Sequence, residues 1–525
     1  MAADDSSADV RPELAELRER KALLEDDARQ DAVAKRHASG RRTARENLAD
    51  LVDPGSFVEY GGLAIAAQRA RREVRELIER TPADGLIGGT ATINGERYGE
   101  RAGCAVLSYD YMVLAGTQGV FGHRKKDRLF ELIERMRLPT VIFAEGGGGR
   151  PGDTDYPVVS ALDTRAFALW ARISGLAPRI AIVAGRCFAG NAVLAGSADL
   201  IVATEDIALG MGGPAMVAGG GLGEFAPEEI GPIGTQSPNG VIDVRVADEA
   251  AAVAVTKQLL GYFQGRDERW DEPDPGLARE VVPESRRRAY DAHKAIGAIV
   301  DAGSETYLRD EFAKGMLTAL ARIEGRPVGI VANNPMQMAG AITSDGADKA
   351  ARFMQLCDAY EIPILSLIDT PGMMVGPEAE ETALVRHCSR LFNAGANLRV
   401  PLIAVILRKA YGLGAQAMAG GGMHEPLLTV GWPTAELGAM GLEGAVRLGL
   451  RRELEAIADP DERERRVREV TEHAHEHAKG LNAATIFELD DIVDPADTRR
   501  LVSATLAAAA SRPRRPGAHR PVDTW

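Results

Sequence analysis

Two stretches of the chain carry residue types that could support chemistry without a side-chain nucleophile. Arg186-Cys-Phe-Ala189-Gly190-Asn191-Ala192 follows the apolar run Ile180-Ala-Ile-Val183, and Lys409-Ala-Tyr411-Gly412-Leu413-Gly414-Ala415 follows Leu402-Ile-Ala-Val-Ile-Leu407. Each reads as a strand, a basic residue, a small-residue turn and an alanine-rich helix start. Such a junction leaves backbone N–H groups unpaired at the start of the helix. Small side chains let a substrate oxygen approach those amides, and a pair of them suits a developing oxyanion. Ala189 and Gly190 form the first candidate pair; Gly412, Leu413 and Gly414 contain the second. Loss of one such donor costs about 3 kcal/mol of transition-state stabilisation where it has been measured. The same glycines would also serve close packing of helix on strand, and spacing alone leaves both readings open.

Two further glycine-rich stretches stand at strand ends. Glu145-Gly-Gly147-Gly148-Gly149-Arg150 follows a strand over Thr140–Ala144, at the carboxyl end where α/β proteins bind ligands. Gly210-Met-Gly212-Gly213-Pro and Gly219-Gly-Gly-Leu-Gly223 follow another. Neither is a Walker A loop nor a GxGxxG opening a helix after a first strand, so nucleotide binding of those kinds is not expected. There is no G-x-S-x-G elbow, no HExxH and no convincing Ser/His/Asp set. His473-Ala-His-Glu-His477 has helical metal-ligand spacing but reads better as a solvated helix face, and no metal is expected. An enzyme with two oxyanion turns and no side-chain nucleophile should stabilise an enolate rather than form a covalent acyl intermediate.

The elements that must position these turns occur twice. Ala91-Thr-Ile-Asn-Gly95-Glu-Arg-Tyr-Gly99 recurs as Ala321-Arg-Ile-Glu-Gly325-Arg-Pro-Val-Gly329. Leu138-Pro-Thr-Val-Ile-Phe-Ala-Glu145 recurs as Ile362-Pro-Ile-Leu-Ser-Leu-Ile-Asp369, and the two turns themselves are in register. An offset near 224 residues (363 − 139) is a domain duplication, not a solenoid. Short Val/Ile/Ala-rich strands alternate with helical stretches such as 125–137, which predicts an α/β fold with a mostly parallel sheet in each copy. Residues 1–83 read as an N-terminal helical segment packing on the first domain (84–262). A linker over 263–290, a second domain over 291–510 and a Pro/Arg-rich tail over 511–525 follow. Within the first segment, residues 11–37 suggest an exposed helix, on its own protomer or at a subunit contact. Thr43-x-x-Glu46 has the form of a capping box before a helix that stops at Asp53-Pro54-Gly55. A net charge of −14 over 525 residues argues against nucleic acid as a partner. Four scattered cysteines suit a reducing cytoplasm, and no apolar run is long enough for a membrane span.

The residues resemble a known family, the carboxyltransferase (β) subunits of biotin-dependent acyl-CoA carboxylases acting on propionyl-, acetyl- and methylcrotonyl-CoA. The likeness extends from about Arg11 to Arg500. It is carried by Arg42-Thr-Ala-Arg-Glu46 with Asp53-Pro-Gly-Ser-Phe57-Val-Glu59, Gly325-Arg-Pro-Val-Gly-Ile-Val-Ala-Asn333, Asp348-Lys-Ala-Ala-Arg-Phe353 and Cys357-Asp358. Asp369-Thr-Pro-Gly372, Arg408-Lys-Ala-Tyr-Gly412 and Trp432-Pro-Thr-Ala-Glu436 with Met440-Gly441 complete it. The resemblance implies duplicated crotonase-like (ClpP/crotonase spiral) domains, the first on the acyl-CoA side and the second on the biotin side. It implies a hexameric ring built from dimers, with each active site formed between two protomers. Its partner would be an α subunit carrying biotin carboxylase and the biotin carrier.

The implied reaction moves a carboxyl group from carboxybiotin to the α (or vinylogous γ) carbon of an acyl-CoA. Released CO₂ leaves a biotin enolate that takes the α-proton, and the thioester enolate attacks the CO₂. Ala189 and Gly190 then hold the thioester oxygen, and Leu413 and Gly414 the ureido oxygen of biotin. Gly147, Gly148, Gly149, Arg150, Gly212, Gly213, Tyr411, Gly412 and Gln416 are the implied substrate-binding set. The chain departs from the family at Ala189 (usually Gly), at Leu413 within a usual Gly-Gly-Ala, and at Glu145-Gly-Gly-Gly-Gly-Arg150 (usually Asp-Ser-Gly-Gly-Ala-Arg). Gln416 stands where acyl length is often selected, which points to an atypical acyl-CoA. A biotin-dependent decarboxylase of the same fold and a non-catalytic subunit of a mixed ring are the alternatives. A hydratase is weaker, because no Glu pair sits at the turn.

Overall fold

The computed structural model describes residues 11–156, 162–510 and 520–525. Residues 1–10 of the N-terminal segment and 511–519 of the tail lie outside them. The chain divides into two units, 1–237 with 241–261 and 238–240 with 262–525.

In the first unit a seven-stranded sheet runs in the order Val58–Glu59, Leu86–Thr92, Gly103–Tyr109, Thr140–Phe143, Arg179–Val183, Leu200–Thr204 and Val244–Val246. Its first two pairings are antiparallel and the others parallel. In the second unit Thr306–Tyr307, Met316–Ile323, Arg326–Asn333, Ile364–Thr370, Leu402–Tyr411, Leu428–Gly431 and Asp491–Ile492 follow the same order, again antiparallel twice and then parallel. Even the register recurs: Ala105 opposite Thr140 becomes Gly329 opposite Ile364, both displaced by 224 residues (329 − 105 and 364 − 140). The central strands are buried on both faces, which is why they read as unbroken apolar runs. Leu107, Phe130, Ile142, Trp170 and Val183 meet in the first core; Leu317, Ile330, Leu365, Ile403 and Trp432 meet in the second. Because the strands are parallel, their carboxyl ends share one edge in each unit, and both turns emerge there.

The capping box at Thr43 forms with both reciprocal hydrogen bonds. Two expectations need correction. The helix expected over 11–37 is broken into Pro12–Ala22 and Gln30–Ala38, and the break buries Leu24 and lets Arg29 reach Asp110 at 2.6 Å. The stretch 263–290, expected to be a linker, contributes Ala278, Val281 and Tyr290 to the second core. Its few apolar residues are spaced to reach that core, a pattern its charged composition hides.

Candidate active site

In the first unit the strand Arg186–Phe188 pairs in parallel with Ala208–Gly210 and delivers the chain into the helix Gly190–Gly196. The bend falls on Ala189, at φ 51° and ψ −121°, where an L side chain costs about 1–3 kcal/mol. The Ala189 amide, expected as an oxyanion donor, instead donates to the Gly210 carbonyl at 3.3 Å. The amides left without an intrahelical acceptor are those that follow it, beginning with Gly190 and Asn191. A Cβ on Gly190 would meet the Gln118 amide nitrogen at 2.9 Å, so the glycine is required for the close approach of that side chain.

The loop 146–150 abuts this turn. A Cβ on Gly148 would come within 2.8 Å of the Ala189 methyl, and its carbonyl accepts from the Gln118 amide at 2.6 Å. The Gly147 amide donates to the Ala115 carbonyl, and Gly149 has open space around it. Glu145, buried at the strand end, takes a two-pronged ion pair from Arg36 at 2.9 and 2.6 Å. Arg150 is not available to a ligand: its guanidinium is buried against Asp84 and both oxygens of Thr117. It closes the loop rather than offering a charge. Gly213 packs on the Phe188 ring, and Gly212 lies beside Met216 in the short helix that follows. From there Met211, Met216 and Leu222 are exposed in a stretch, 207–223, that holds no charged residue, and Phe225 is exposed just beyond Glu224.

In the second unit the strand Leu402–Tyr411 runs directly into the helix Gly412–Met418. Gly412, at φ 56°, occupies the place of Ala189, so Leu413 matches Gly190. A Cβ on Gly414 would lie 2.7 Å from the backbone of Gly372, which brings the Asp369-Thr-Pro-Gly372 loop against the helix start. Leu413 is 63% exposed, and Gln416, one turn on, shares its face. Met338, Val375 and Met440 are exposed on neighbouring loops.

Charge braces this second turn from below. Asp369, wholly buried, pairs with Arg408 at 3.0 Å and Lys409 at 3.4 Å. The Tyr411 hydroxyl donates to Glu436 at 2.9 Å, and Arg286 reaches the same carboxylate at 3.0 Å. Burial, with Glu436 adjacent, pushes the Tyr411 phenol up, so it stays protonated. His475, expected on a solvated face, turns its Nδ1 to Glu436 at 3.2 Å. Neither Glu436 nor Asn191 was singled out in the sequence; both act through residues far away along the chain. Among the described residues no group of three or more His, Cys, Asp or Glu could hold a metal ion.

A carboxyl transferase domain profile matches residues 35–521. The chain is 33% identical to the biotin-dependent long chain acyl-coenzyme A carboxylase beta4 subunit of Mycobacterium tuberculosis, over 93% of this chain and 92% of that protein. Among solved structures, a single-chain, multi-domain long-chain acyl-CoA carboxylase superposes with a TM-score of 0.91 at 55% identity, over 95% of this chain. The chain spans about half (49%) of that enzyme's length. Transcarboxylase 12S, solved as a hexamer with methylmalonyl-coenzyme A bound, superposes with a TM-score of 0.83 at 30% identity, over 99% of this chain and all (100%) of that one. The duplicated α/β units thus have the expected crotonase-like fold. The matches at this length and the two glycine turns in one register make the chain a member of the carboxyltransferase family, a carboxyltransferase subunit of the acyl-CoA carboxylases that transfers a carboxyl group to acyl-CoA.

Proposed function

We propose that this chain transfers carboxyl groups from carboxybiotin, carried by a partner biotin carboxylase and carrier subunit, to the α carbon of a long-chain acyl-CoA in the cytoplasm. The observation that carries the reading is the repeated bend: a positive-φ residue between a strand and a short helix, in both units, followed by free helix-start amides. The Gly190 amide and its neighbour suit a thioester oxygen acquiring enolate charge; the Leu413 and Gly414 amides suit a ureido oxygen. The apolar surroundings of Leu413 fit an uncharged bicyclic ring, so the second turn is compatible with biotin. When bound, carboxybiotin would supply both the CO₂ and the base; among the described residues no side-chain base stands at either turn. The chain's own contribution is to hold two oxygens and to exclude water through Leu413 and its neighbours.

The acyl class rests on the 55% identity to a long-chain enzyme and on the exposed Met211, Met216, Leu222 and Phe225 beside the first turn. A hexameric ring, as in transcarboxylase 12S, is the proposed assembly. The test is transfer of label from malonyl-, methylmalonyl- and tetradecylmalonyl-CoA to free biotin by the purified chain. Biotin-dependent loss greatest from tetradecylmalonyl-CoA is expected. No loss from any of the three overturns the reading, and loss only from the short thioesters overturns the acyl class.

A further inference from the structure

Lys126 lies in the helix Val120–Met136 with no exposed surface at all (0%). Among the described residues no carboxylate comes within 4.0 Å of its Nζ, which donates to the Gln118 side-chain oxygen at 2.7 Å. The rings of Tyr109 and Phe167 stand 5.7 and 5.8 Å from the charge. A buried ammonium with one neutral partner is costly, and the fold does not demand it. Its neighbour Lys125 and the matching Lys349 of the second unit do ordinary structural work, each donating to two loop carbonyls. At the position matching Lys126 the second unit builds the same helix with Ala350, fully buried.

From Lys126 a line of amides leads to the first turn. The Gln118 nitrogen donates to Asn191 Oδ1 at 2.7 Å, and the Asn191 nitrogen donates to the carbonyls of Glu145 at 3.1 Å and Gly116 at 3.3 Å. Every bond in the line points the same way, so the ammonium polarises each amide in turn. Gln118 sits directly beneath Gly190, and its backbone ties down both Gly148 and Arg150. Resting on the carboxyltransferase reading above, we infer that Lys126 is a positioning residue that holds a buried positive charge beneath the first turn, through Gln118 and Asn191, to favour the enolate form of the bound thioester. A fixed charge in a low-dielectric site stabilises charge that develops in the transition state more than charge already present in the ground state.

No carboxylate facing Lys126 pairs with it directly, and Asp127 and Asp84 act on it only through space. Asp84 is taken by Arg150, Glu145 by Arg36, and Asp127 lies on the outer side of the same helix, half-buried. His123 is held neutral by burial and by Lys126 itself, its pKa pushed down to about 3. Burial brings Lys126 down to about 7, so the lysine titrates near neutrality and a neighbouring enolate favours its charged form.

The test compares the full-length wild type with Lys126→Met and Gln118→Met in carboxyl transfer to palmitoyl-CoA as a function of pH, with thermal midpoints measured alongside. For Lys126→Met a fall in kcat of about tenfold is expected, with KM for the thioester within about twofold of the wild type and the thermal midpoint not lowered. The alkaline limb of the kcat profile should vanish. Gln118→Met should lose several-fold in kcat and move that limb to lower pH, because Lys126 loses its side-chain acceptor, which guards against a Lys126→Met chain that fails to fold. Unchanged kcat in Lys126→Met, or a loss of kcat with the limb intact, overturns the inference alone. A wild type that transfers no carboxyl group to any thioester overturns the carboxyltransferase reading, and the role of Lys126 with it.

Discussion

At Ala189 the chain bends with φ 51° while carrying a methyl group; at Gly412 the same bend, with φ 56°, is made by glycine. The two turns share a backbone path but are braced in different ways. Beneath the first lie neutral amides, Gln118 and Asn191, with a single buried ammonium behind them. Beneath the second lies an ionic cluster in which Asp369 joins Arg408 and Lys409, and Glu436 joins Tyr411, Arg286 and His475. The difference teaches that the direction of the amides is a property of strand, bend and helix, whereas the support beneath them was free to diverge after duplication. It also separates their electrostatics. The second brace sets two carboxylates against three cations in direct ion pairs, whereas the first has a lysine whose hydrogen-bond partner is a neutral amide.

The largest expected effect tests the ionic brace. Asp369→Asn leaves the buried Arg408 and the half-buried Lys409 without their carboxylate, and should cost about 3–5 kcal/mol in urea unfolding of the second unit. A loss below about 1 kcal/mol would show that the brace is not ionic. Next, Gly414→Val drives a side chain into the Gly372 backbone and should lower carboxyl transfer by about 100-fold while the first unit's unfolding is unchanged. Retained activity would mean that the second helix start can shift without consequence.

Exchanging the bend residues should give effects of opposite sign. Gly412→Ala adds a methyl at positive φ and 2.8 Å from the Ala439 carbonyl, and should destabilise by about 2 kcal/mol. Ala189→Gly relieves strain and should raise the thermal midpoint, by about 1 kcal/mol of stability. Equal signs would refute the equivalence of the two bends. A further comparison concerns pH. Burial lowers Lys125 to about 8 and Lys126 and Lys349 to about 7, from 10.5. The unfolded chain therefore binds more protons than the folded one between those values, and stability contributed by these groups rises with pH across that window. Urea midpoints at pH 7 and 9 should show the rise, and Lys349→Met should flatten part of it.

Much of this was legible in the residues themselves. The duplication, the strand-to-helix turns and the capping box at Thr43 depend on neighbours within a few positions, so pattern and propensity reveal them. The helix expected over 125–137 is present as Val120–Met136, its start missed because Gly119 caps it without a side-chain hydrogen bond. Lys126 left a faint signal: it occupies the apolar stripe of that helix with Gly122, Leu129, Phe130 and Ile133, where a lysine is out of place. The reading of Arg150 went astray because a guanidinium in a glycine loop looks like an anion handle until Asp84, 66 residues away, is found on it. His475 hid its link to Glu436 in the same way, across 39 residues.

By itself, then, the sequence determined the two-fold repetition, the alternation of strands and helices within each copy and the positions of both turns, because hydrophobic period and small-residue placement act locally. Tertiary structure alone decided which amide at each bend is free, which charges are already spent and that Lys126 meets only the neutral oxygen of Gln118. Those depend on hydrogen-bond partners that only folding brings within 3 Å or so, and a buried polar group is defined by its partners rather than by its type.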